Sequence, residues 1–257
     1  GDIQTRGDVA SRDALVQRCK KLGLDAIIYS EELKKPVNLS QSPRYAVIAD
    51  EWDGTDNHKY SNNELPNGPI IGIADSPNPR FSDVAACGFV NVVSGNLYYA
   101  VREQGAWLVP RYLYGGTKKE PLQTSGKTNL DGEERVIADT IMLGNLVPHF
   151  LDYVISFGNV QAKSYAAHLA LVASGGYDAF VGADNCTTAP GKRRTAEELG
   201  PLYLLLREAK GKGNKVGGTI LDWNGNDLDN ELIGLGEKKV FHFVAGATPQ
   251  IAREFVV

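Results

Sequence analysis

The chain has 257 residues, of which 42% are hydrophobic and 23% charged, values that are ordinary for a globular protein. Its formal net charge of −4 argues against nucleic-acid or membrane-surface binding as the main activity. No run reaches the roughly 18 apolar residues of a membrane span. Three widely spaced cysteines, Cys19, Cys87 and Cys186, predict reduced thiols in a cytoplasmic protein.

Residues 1–125 are predicted to form an N-terminal α+β half. Apolar residues at helical spacing, followed by Gly23, predict a helix over 8–22. Polar stretches rich in proline or asparagine predict loops over 33–44 and 56–67. Short apolar runs predict strands, which are expected at 26–29, 45–49, 69–74, 85–93 and 97–101.

A polar segment, 116–132, is the predicted boundary with a C-terminal α/β half, residues 126–257. Helices and strands alternate in this half, which indicates a layered α/β unit. The helices are expected at 133–146, 164–173, 195–210 and 249–255, and the strands at 177–181, 218–222 and 240–245.

Carboxylates are the strongest chemical signal in the sequence. Asp50, Glu51 and Asp53 directly follow an apolar run, and Gly54-Thr55 come next. Asp50 and Asp53 are three apart across a predicted turn, so both can face one point, and oxygen ligands of this kind suit Mg²⁺. The alternative is a solvated acidic turn with no ligand.

Two acidic segments together resemble the inositol monophosphatase family. Ser30-Glu31-Glu32 is similar to the family's Gly-Glu-Glu, and the segment Asp50–Thr55, which begins 19 positions after Glu31, is similar to its Asp-Pro-Ile-Asp-Gly-Thr. Thr5-Arg6-Gly7-Asp8 resembles the family's Thr-x-x-Asp. The family belongs to a superfamily of metal-dependent, lithium-sensitive phosphatases that includes the fructose-1,6-bisphosphatases. The resemblance implies a layered α-β-α-β-α sugar-phosphatase fold.

The resemblance also implies a site between the two halves, with most metal ligands in residues 1–125. Two or three Mg²⁺ ions would be held by Glu31, Asp50, the Trp52 carbonyl, Asp53 and Glu198. A metal-activated water would attack the phosphate in line, with Asp8, Thr55 and Glu31 as the catalytic residues. The substrate-binding residues would be Asp53, Gly54, Thr55, Lys163, Ser164 and Arg194.

Several positions depart from the family's sequence. The last metal ligand of the family is an aspartate, and the corresponding position here is Glu198, with Glu197 as the alternative ligand. Both glutamates are also explained as acids favoured at a helix N-terminus. Basic residues at 191–194 are expected either to bind a second anionic group of the substrate or to form a solvated loop. Lys163 stands where the family has a small glycine.

The implied activity is Mg²⁺-dependent hydrolysis of a small polyol or sugar phosphate, inositol monophosphate or fructose-1,6-bisphosphate. One alternative substrate is the nucleotide 3′-phosphoadenosine 5′-phosphate. Another alternative is a non-catalytic relative that binds metal or phosphate. The expected partner is the small phosphorylated substrate, without a nucleic-acid polymer or a membrane, and a homodimer is left open.

Overall fold

A computed structural model of the chain describes residues 6–30, 32–33, 35–60, 64–138, 164–182, 196–210, 216–233 and 243–256. Within these residues two β-sheets are present, one of eight strands and one of four. None of the helices described combines the length and the apolar character needed to cross a membrane.

The eight-stranded sheet has the strand order β2-β1-β3-β4-β5-β6-β7-β8. Its β1 and β3 strands are parallel, and its other neighbouring strands are antiparallel. The strands are β1 (Ala26–Ser30), β2 (Val37–Asn38), β3 (Tyr45–Asp53), β4 (Gly68–Ala74), β5 (Val84–Asn91), β6 (Asn96–Val101), β7 (Gly105–Val109) and β8 (Glu120–Pro121).

The four-stranded sheet has the order β11-β12-β10-β9, with β9 and β10 parallel. Its strands are β9 (Val136–Ala138), β10 (Ala179–Gly182), β11 (Thr219–Asp222) and β12 (Phe243–Gly246). The helix predicted over 133–146 is therefore wrong at 133–138, where the structure has a loop and then β9, and its positions 139–146 lie outside the described residues. Val136 and Ile137 are β-branched, and both are buried where they pair with Ala179 and Phe180.

In the part of the chain that the structure describes, five α-helices accompany the sheets: α1 (Arg6–Lys21), α2 (Thr55–Tyr60), α3 (Tyr165–Ala173), α4 (Ala196–Glu208) and α5 (Pro249–Arg253). Short 3₁₀ turns occur at Phe81–Asp83, Tyr112–Tyr114 and Leu228–Asn230. The loop predicted over 56–67 is wrong at its start, where α2 lies. Its polar sequence carries little apolar periodicity, so nothing in the pattern indicated a helix.

The large sheet has a hydrophobic cluster on each of its two faces at β1 and β3. Alternating residues of β1 and β3 point to opposite faces: Ile28 and Val47 pack with Cys19 of α1, whereas Tyr29 and Ile48 join the main core. That core also contains residues of α3, α4 and the four-stranded sheet. Helix α4 contacts strands of both sheets, and α5 packs on β11 and β12.

The predicted layered α-β-α-β-α arrangement is confirmed by this architecture. Strands of the large sheet end at Pro121, and those of the small sheet begin at Val136. Both sheets contribute to one hydrophobic core. The division into halves at 125/126 stays a prediction.

Candidate metal centre

The acidic segment lies inside β3, at a break in its pairing with β4. Asp50 is opposite Ile70 and Asp53 is opposite Gly68, so two residues of β3, Glu51 and Trp52, face one residue of β4. This is a β-bulge. The strand predicted at 45–49 is thus too short. The prediction placed Asp50, Glu51 and Asp53 after the strand, and the structure has them within β3.

The bulge brings Asp50 and Asp53 to the same face of the sheet. In a regular strand, residues three apart point to opposite faces. The extra residue in β3 brings Asp53 back to the face of Asp50, because their partners on β4, Ile70 and Gly68, are two apart and share a face. Pro69, between those partners, has no N–H to give to the ladder, which is a known setting for a bulge.

Helix α4 brings a third carboxylate to this point. Asp50, Asp53 and Glu198 each offer a ligand atom, and these atoms all lie within 4.8 Å of one another. All three side chains are buried, with Asp50 and Asp53 each 3% exposed and Glu198 6% exposed. A solvated acidic turn would be exposed, so that alternative does not describe these residues.

Glu197 is not part of this three-carboxylate group, although it adjoins Glu198 on the first turn of α4. Burial, and to a smaller extent the negative charge of Glu197, raise the pKa of Tyr29. Of the two glutamates, Glu198 is the one that the fold places beside Asp50 and Asp53.

The N-terminus of α3 reaches the carboxylate of Asp53. Ser164, the N-cap of α3, donates its hydroxyl proton to Asp53 Oδ2 at 2.5 Å. The backbone N–H of Ala166 donates to the same oxygen at 3.0 Å, and that of Tyr165 donates to Oδ1 at 3.3 Å. Positive helix N-termini stabilise negative charge, so α3 favours an ionised Asp53.

Main-chain groups at the bulge are held in place by neighbouring side chains. Asp50 Oδ1 accepts the backbone N–H of Trp52 at 2.9 Å. The carbonyl of Trp52 accepts the hydroxyl of Thr55, also at 2.9 Å. A carbonyl oxygen has two lone pairs, so this hydrogen bond leaves room for the predicted metal contact of Trp52.

Gly54 links the bulge to α2 in a conformation that suits glycine. Its φ is +79°. A Cβ placed there would lie 3.1 Å from the Pro66 carbonyl oxygen, 3.1 Å from Cβ of Ser164 and 3.2 Å from Cβ of Asn67. The backbone at Gly54 is therefore closely enclosed. Asn67, which nothing in the sequence singled out, forms one wall of this enclosure.

Glu51 occupies a separate environment on the other side of β3. The Ser30 hydroxyl lies 2.6 and 2.8 Å from its two carboxylate oxygens. Burial raises the pKa of Glu51 to about 7, and the Ser30 hydrogen bond opposes part of that shift. Glu51 is absent from the three-carboxylate group.

The remaining predicted residues fall into two sets. Asp8 is buried in the first turn of α1, a helix that packs on β3, and it is not in the three-carboxylate group. Thr55 begins α2 and contacts the Trp52 carbonyl. Three predicted site residues, Glu31, Lys163 and Arg194, lie outside the described residues. The rest of the basic cluster at 191–194 lies outside them as well.

The residues present fit a hard divalent cation. Three buried carboxylates within 4.8 Å repel one another when ionised, and a cation between them removes that cost. Oxygen-only donor sets select Mg²⁺, Ca²⁺ or Mn²⁺ over the softer metals. The arrangement supports a cation site formed jointly by β3 and α4.

Two known proteins of similar sequence are named as phosphatases in whole or in part. No family model matches the chain. A fructose-1,6-bisphosphatase/inositol-1-monophosphatase of Methanothermobacter thermautotrophicus is 29% identical over 184 residues, 68% of the chain and 60% of the relative. A bifunctional NADP phosphatase/NAD kinase of Methanococcus maripaludis is 24% identical over 245 residues, 90% of the chain. The chain spans only 39% of that second relative.

Solved structures cover almost the whole chain. An inositol monophosphatase II from Staphylococcus aureus aligns with a TM-score of 0.68 at 16% identity, over 97% of the chain and 80% of that structure. The suhB extragenic suppressor protein of Bartonella henselae reaches 0.70 at 17% identity, over 98% and 84%. A Pyrococcus horikoshii protein described as similar to inositol-1 monophosphatase also reaches 0.70 at 17% identity, over 98% and 83%.

The chain has the inositol monophosphatase-like fold. This confirms the resemblance that the acidic segments carry. Within this fold, the bulge in β3 and the first turn of α4 bring the predicted metal ligands Asp50, Asp53 and Glu198 together. The roles of the individual site residues stay predictions.

Proposed function

We propose that the chain is a metal-dependent phosphatase that hydrolyses phosphate monoesters of small polyols or sugars, inositol monophosphate or fructose-1,6-bisphosphate. The observation that carries the proposal is the buried group of Asp50, Asp53 and Glu198. Among the residues described, these are the acids arranged to hold a divalent cation. The named activities of the relatives, each a phosphatase in whole or in part, support the same reaction.

Asp50, Asp53 and Glu198 would hold Mg²⁺ ions together with the predicted ligands Glu31 and the Trp52 carbonyl. Bound ions of this kind neutralise phosphate charge and lower the pKa of water that they bind. Asp8 and Thr55 are proposed to orient the attacking water. The hydrogen bond from the Thr55 hydroxyl to the Trp52 carbonyl, itself a proposed metal ligand, supports this role for Thr55.

Gly54 and Thr55 are proposed to meet the phosphate through backbone N–H groups. Glycine lets a ligand come close to the main chain, and the φ of Gly54 is held by its enclosure between Pro66, Asn67 and Ser164. Lys163 and Arg194 are proposed to contact the rest of the substrate, because cationic side chains suit a second anionic group.

A nucleotide is the second candidate substrate. One relative is named an NADP phosphatase, and one structure of similar fold is titled as a 2′-AMP-bound inositol monophosphatase II of Staphylococcus aureus. Both names involve an adenosine that carries a 2′-phosphate. Such esters therefore join 3′-phosphoadenosine 5′-phosphate as nucleotide alternatives to the sugar phosphates.

The test is phosphate release by the full chain in Mg²⁺ and in EDTA. The panel is inositol-1-phosphate, fructose-1,6-bisphosphate, NADP and 3′-phosphoadenosine 5′-phosphate. We expect release that needs Mg²⁺ and is lost in Asp50→Asn and retained in Glu197→Gln, the matched control. Mg²⁺ binding without release from any ester would instead support a non-catalytic metal-binding protein.

A further inference from the structure

The contact between Ser164 and Asp53 joins the N-terminus of α3 to the end of β3 at the candidate metal centre. The two residues are 111 positions apart in the chain. Ser164 is 0% exposed, and Asp53 is 3% exposed. A buried hydrogen bond of 2.5 Å between a hydroxyl and a carboxylate is of the strong, charge-assisted kind.

The geometry points to Ser164 as a positioning residue for the cation: with the first turn of α3 it holds Oδ2 of Asp53 and so presents Oδ1 to the ion. This inference rests on the proposed function, because it needs a cation at Asp50, Asp53 and Glu198. It assigns Ser164 a role in metal binding, distinct from the substrate contact that the sequence predicts.

The hydrogen bonds on Asp53 explain why one oxygen is assigned to the metal. An ionised carboxylate oxygen has about two lone-pair sites. Oδ2 already accepts the Ser164 hydroxyl at 2.5 Å and the Ala166 N–H at 3.0 Å, which uses both. Oδ1 receives the longer bond, 3.3 Å from the Tyr165 N–H, so it is the oxygen assigned to the ion.

The hydroxyl of Ser164 is fixed by two partners at once. It donates to Asp53, and its oxygen accepts the backbone N–H of Ala167 at 3.2 Å as the N-cap of α3. A hydroxyl has one proton, and here that proton is committed to Asp53. This arrangement leaves Ser164 with no proton to donate to a substrate.

Holding Asp53 matters because its neighbours carry the same charge. Without a cation, Asp50 and Glu198 repel its carboxylate across less than 4.8 Å. The hydrogen bonds from α3 oppose that repulsion and hold the Asp53 carboxylate beside Asp50 and Glu198. Residues that orient metal ligands in this way typically change metal affinity about 10- to 100-fold when removed.

The experiment compares two N-cap variants by calorimetric titration of the full chain with Mg²⁺. Ser164→Ala removes both the cap and the bond to Asp53. Thr248→Ala is the matched control, because Thr248 caps α5 through the N–H of Ile251 and lies outside the metal centre. Ser164→Gly is added because glycine is a nearly neutral N-cap, so it removes the proton donor with little loss of capping.

We expect Ser164→Ala and Ser164→Gly to weaken Mg²⁺ binding about 10- to 100-fold, and Thr248→Ala to bind like the wild type. Equal Mg²⁺ affinity in the wild type and both Ser164 variants would overturn the inference while leaving the proposed function intact. A raised KM for the phosphate ester with unchanged Mg²⁺ affinity would overturn it in favour of the substrate contact. A wild-type chain that binds no Mg²⁺ would refute the proposed function and this inference together.

Discussion

Gly72 on β4 lies directly against Pro201 of α4. A Cβ at Gly72 would sit 2.8 Å from Cγ of Pro201 and 3.1 Å from its Cβ. Pro201 follows Glu198 by about one helical turn, so this contact sets how closely the first turn of α4 approaches β3 and β4. The absence of a side chain at Gly72 thus bears on the position of a proposed metal ligand.

Gly72→Ala should push α4 away from the large sheet. Overpacking of this kind costs about 1–3 kcal/mol of unfolding free energy, and displacement of Glu198 should weaken Mg²⁺ binding as well. Urea unfolding and Mg²⁺ titration measure the two effects. Gly88→Ala on β5 is the control, because its added Cβ would meet nothing closer than 3.7 Å. Equal stability of the two variants would contradict the close contact.

Glu198→Gln should abolish the rise in melting temperature that Mg²⁺ causes in the wild type. A ligand present at 100 times its Kd stabilises the folded state by about 2.7 kcal/mol, so the shift is readily measured. Without metal, the variant should be as stable as the wild type or more stable, because one of three crowded charges is gone.

Glu197→Gln is the control for that experiment, since it makes the same change one residue away. It should keep the full Mg²⁺-dependent shift. Loss of the shift in Glu197→Gln, with retention in Glu198→Gln, would mean that the adjacent glutamate is the ligand.

Gly54→Ala should destabilise the chain more than Gly23→Ala. Both glycines have positive φ, +79° at Gly54 and +64° at Gly23, and a left-handed alanine costs about 1–2 kcal/mol. A Cβ at Gly23 meets nothing within 4 Å, whereas at Gly54 it crowds Pro66, Ser164 and Asn67. The difference in unfolding free energy between the two variants measures that crowding, and a negligible difference would argue against it.

Cys87 should resist thiol reagents in the folded protein well above neutral pH. Burial raises its pKa to about 12, and burial also raises the pKa of Cys19. The thiolate is the reactive form, so an exposed cysteine should react fully near pH 9 while Cys87 stays protonated. In a Cys186→Ser background, Ellman's reagent should therefore label native chains slowly and denatured chains at once. Rapid labelling of native chains at pH 9 would contradict this burial.

The sequence predicted the acids of the site but missed how they meet. Asp50, Asp53 and Glu198 were found through their chemistry and their spacing in a resembling family. The bulge was missed because acids are disfavoured in strands, so the strand was ended before Asp50. Pro69 was the available signal, since a proline inside an antiparallel pair removes a ladder donor.

Long-range packing decided the features that local sequence left open. Glu197 and Glu198 are equivalent as helix N-terminal acids, and only the placement of α4 across the large sheet separates them. Residues 136–138 fall within a predicted helix, and pairing with β10, more than 40 positions later in the chain, makes them a strand. The bond between Ser164 and Asp53 spans 111 positions, a distance at which periodicity carries no information.

The bulge in β3 makes the length of this segment more important than one of its side chains. At the extra residue the chain would present its main-chain oxygen to the ion, and a main-chain oxygen is the same whatever side chain stands at Trp52. Trp52 itself packs edge-on against His58, a contact that affects stability and not ligand identity. Among related sequences, the residue type at position 52 would then vary, whereas selection would remove insertions or deletions between Asp50 and Asp53.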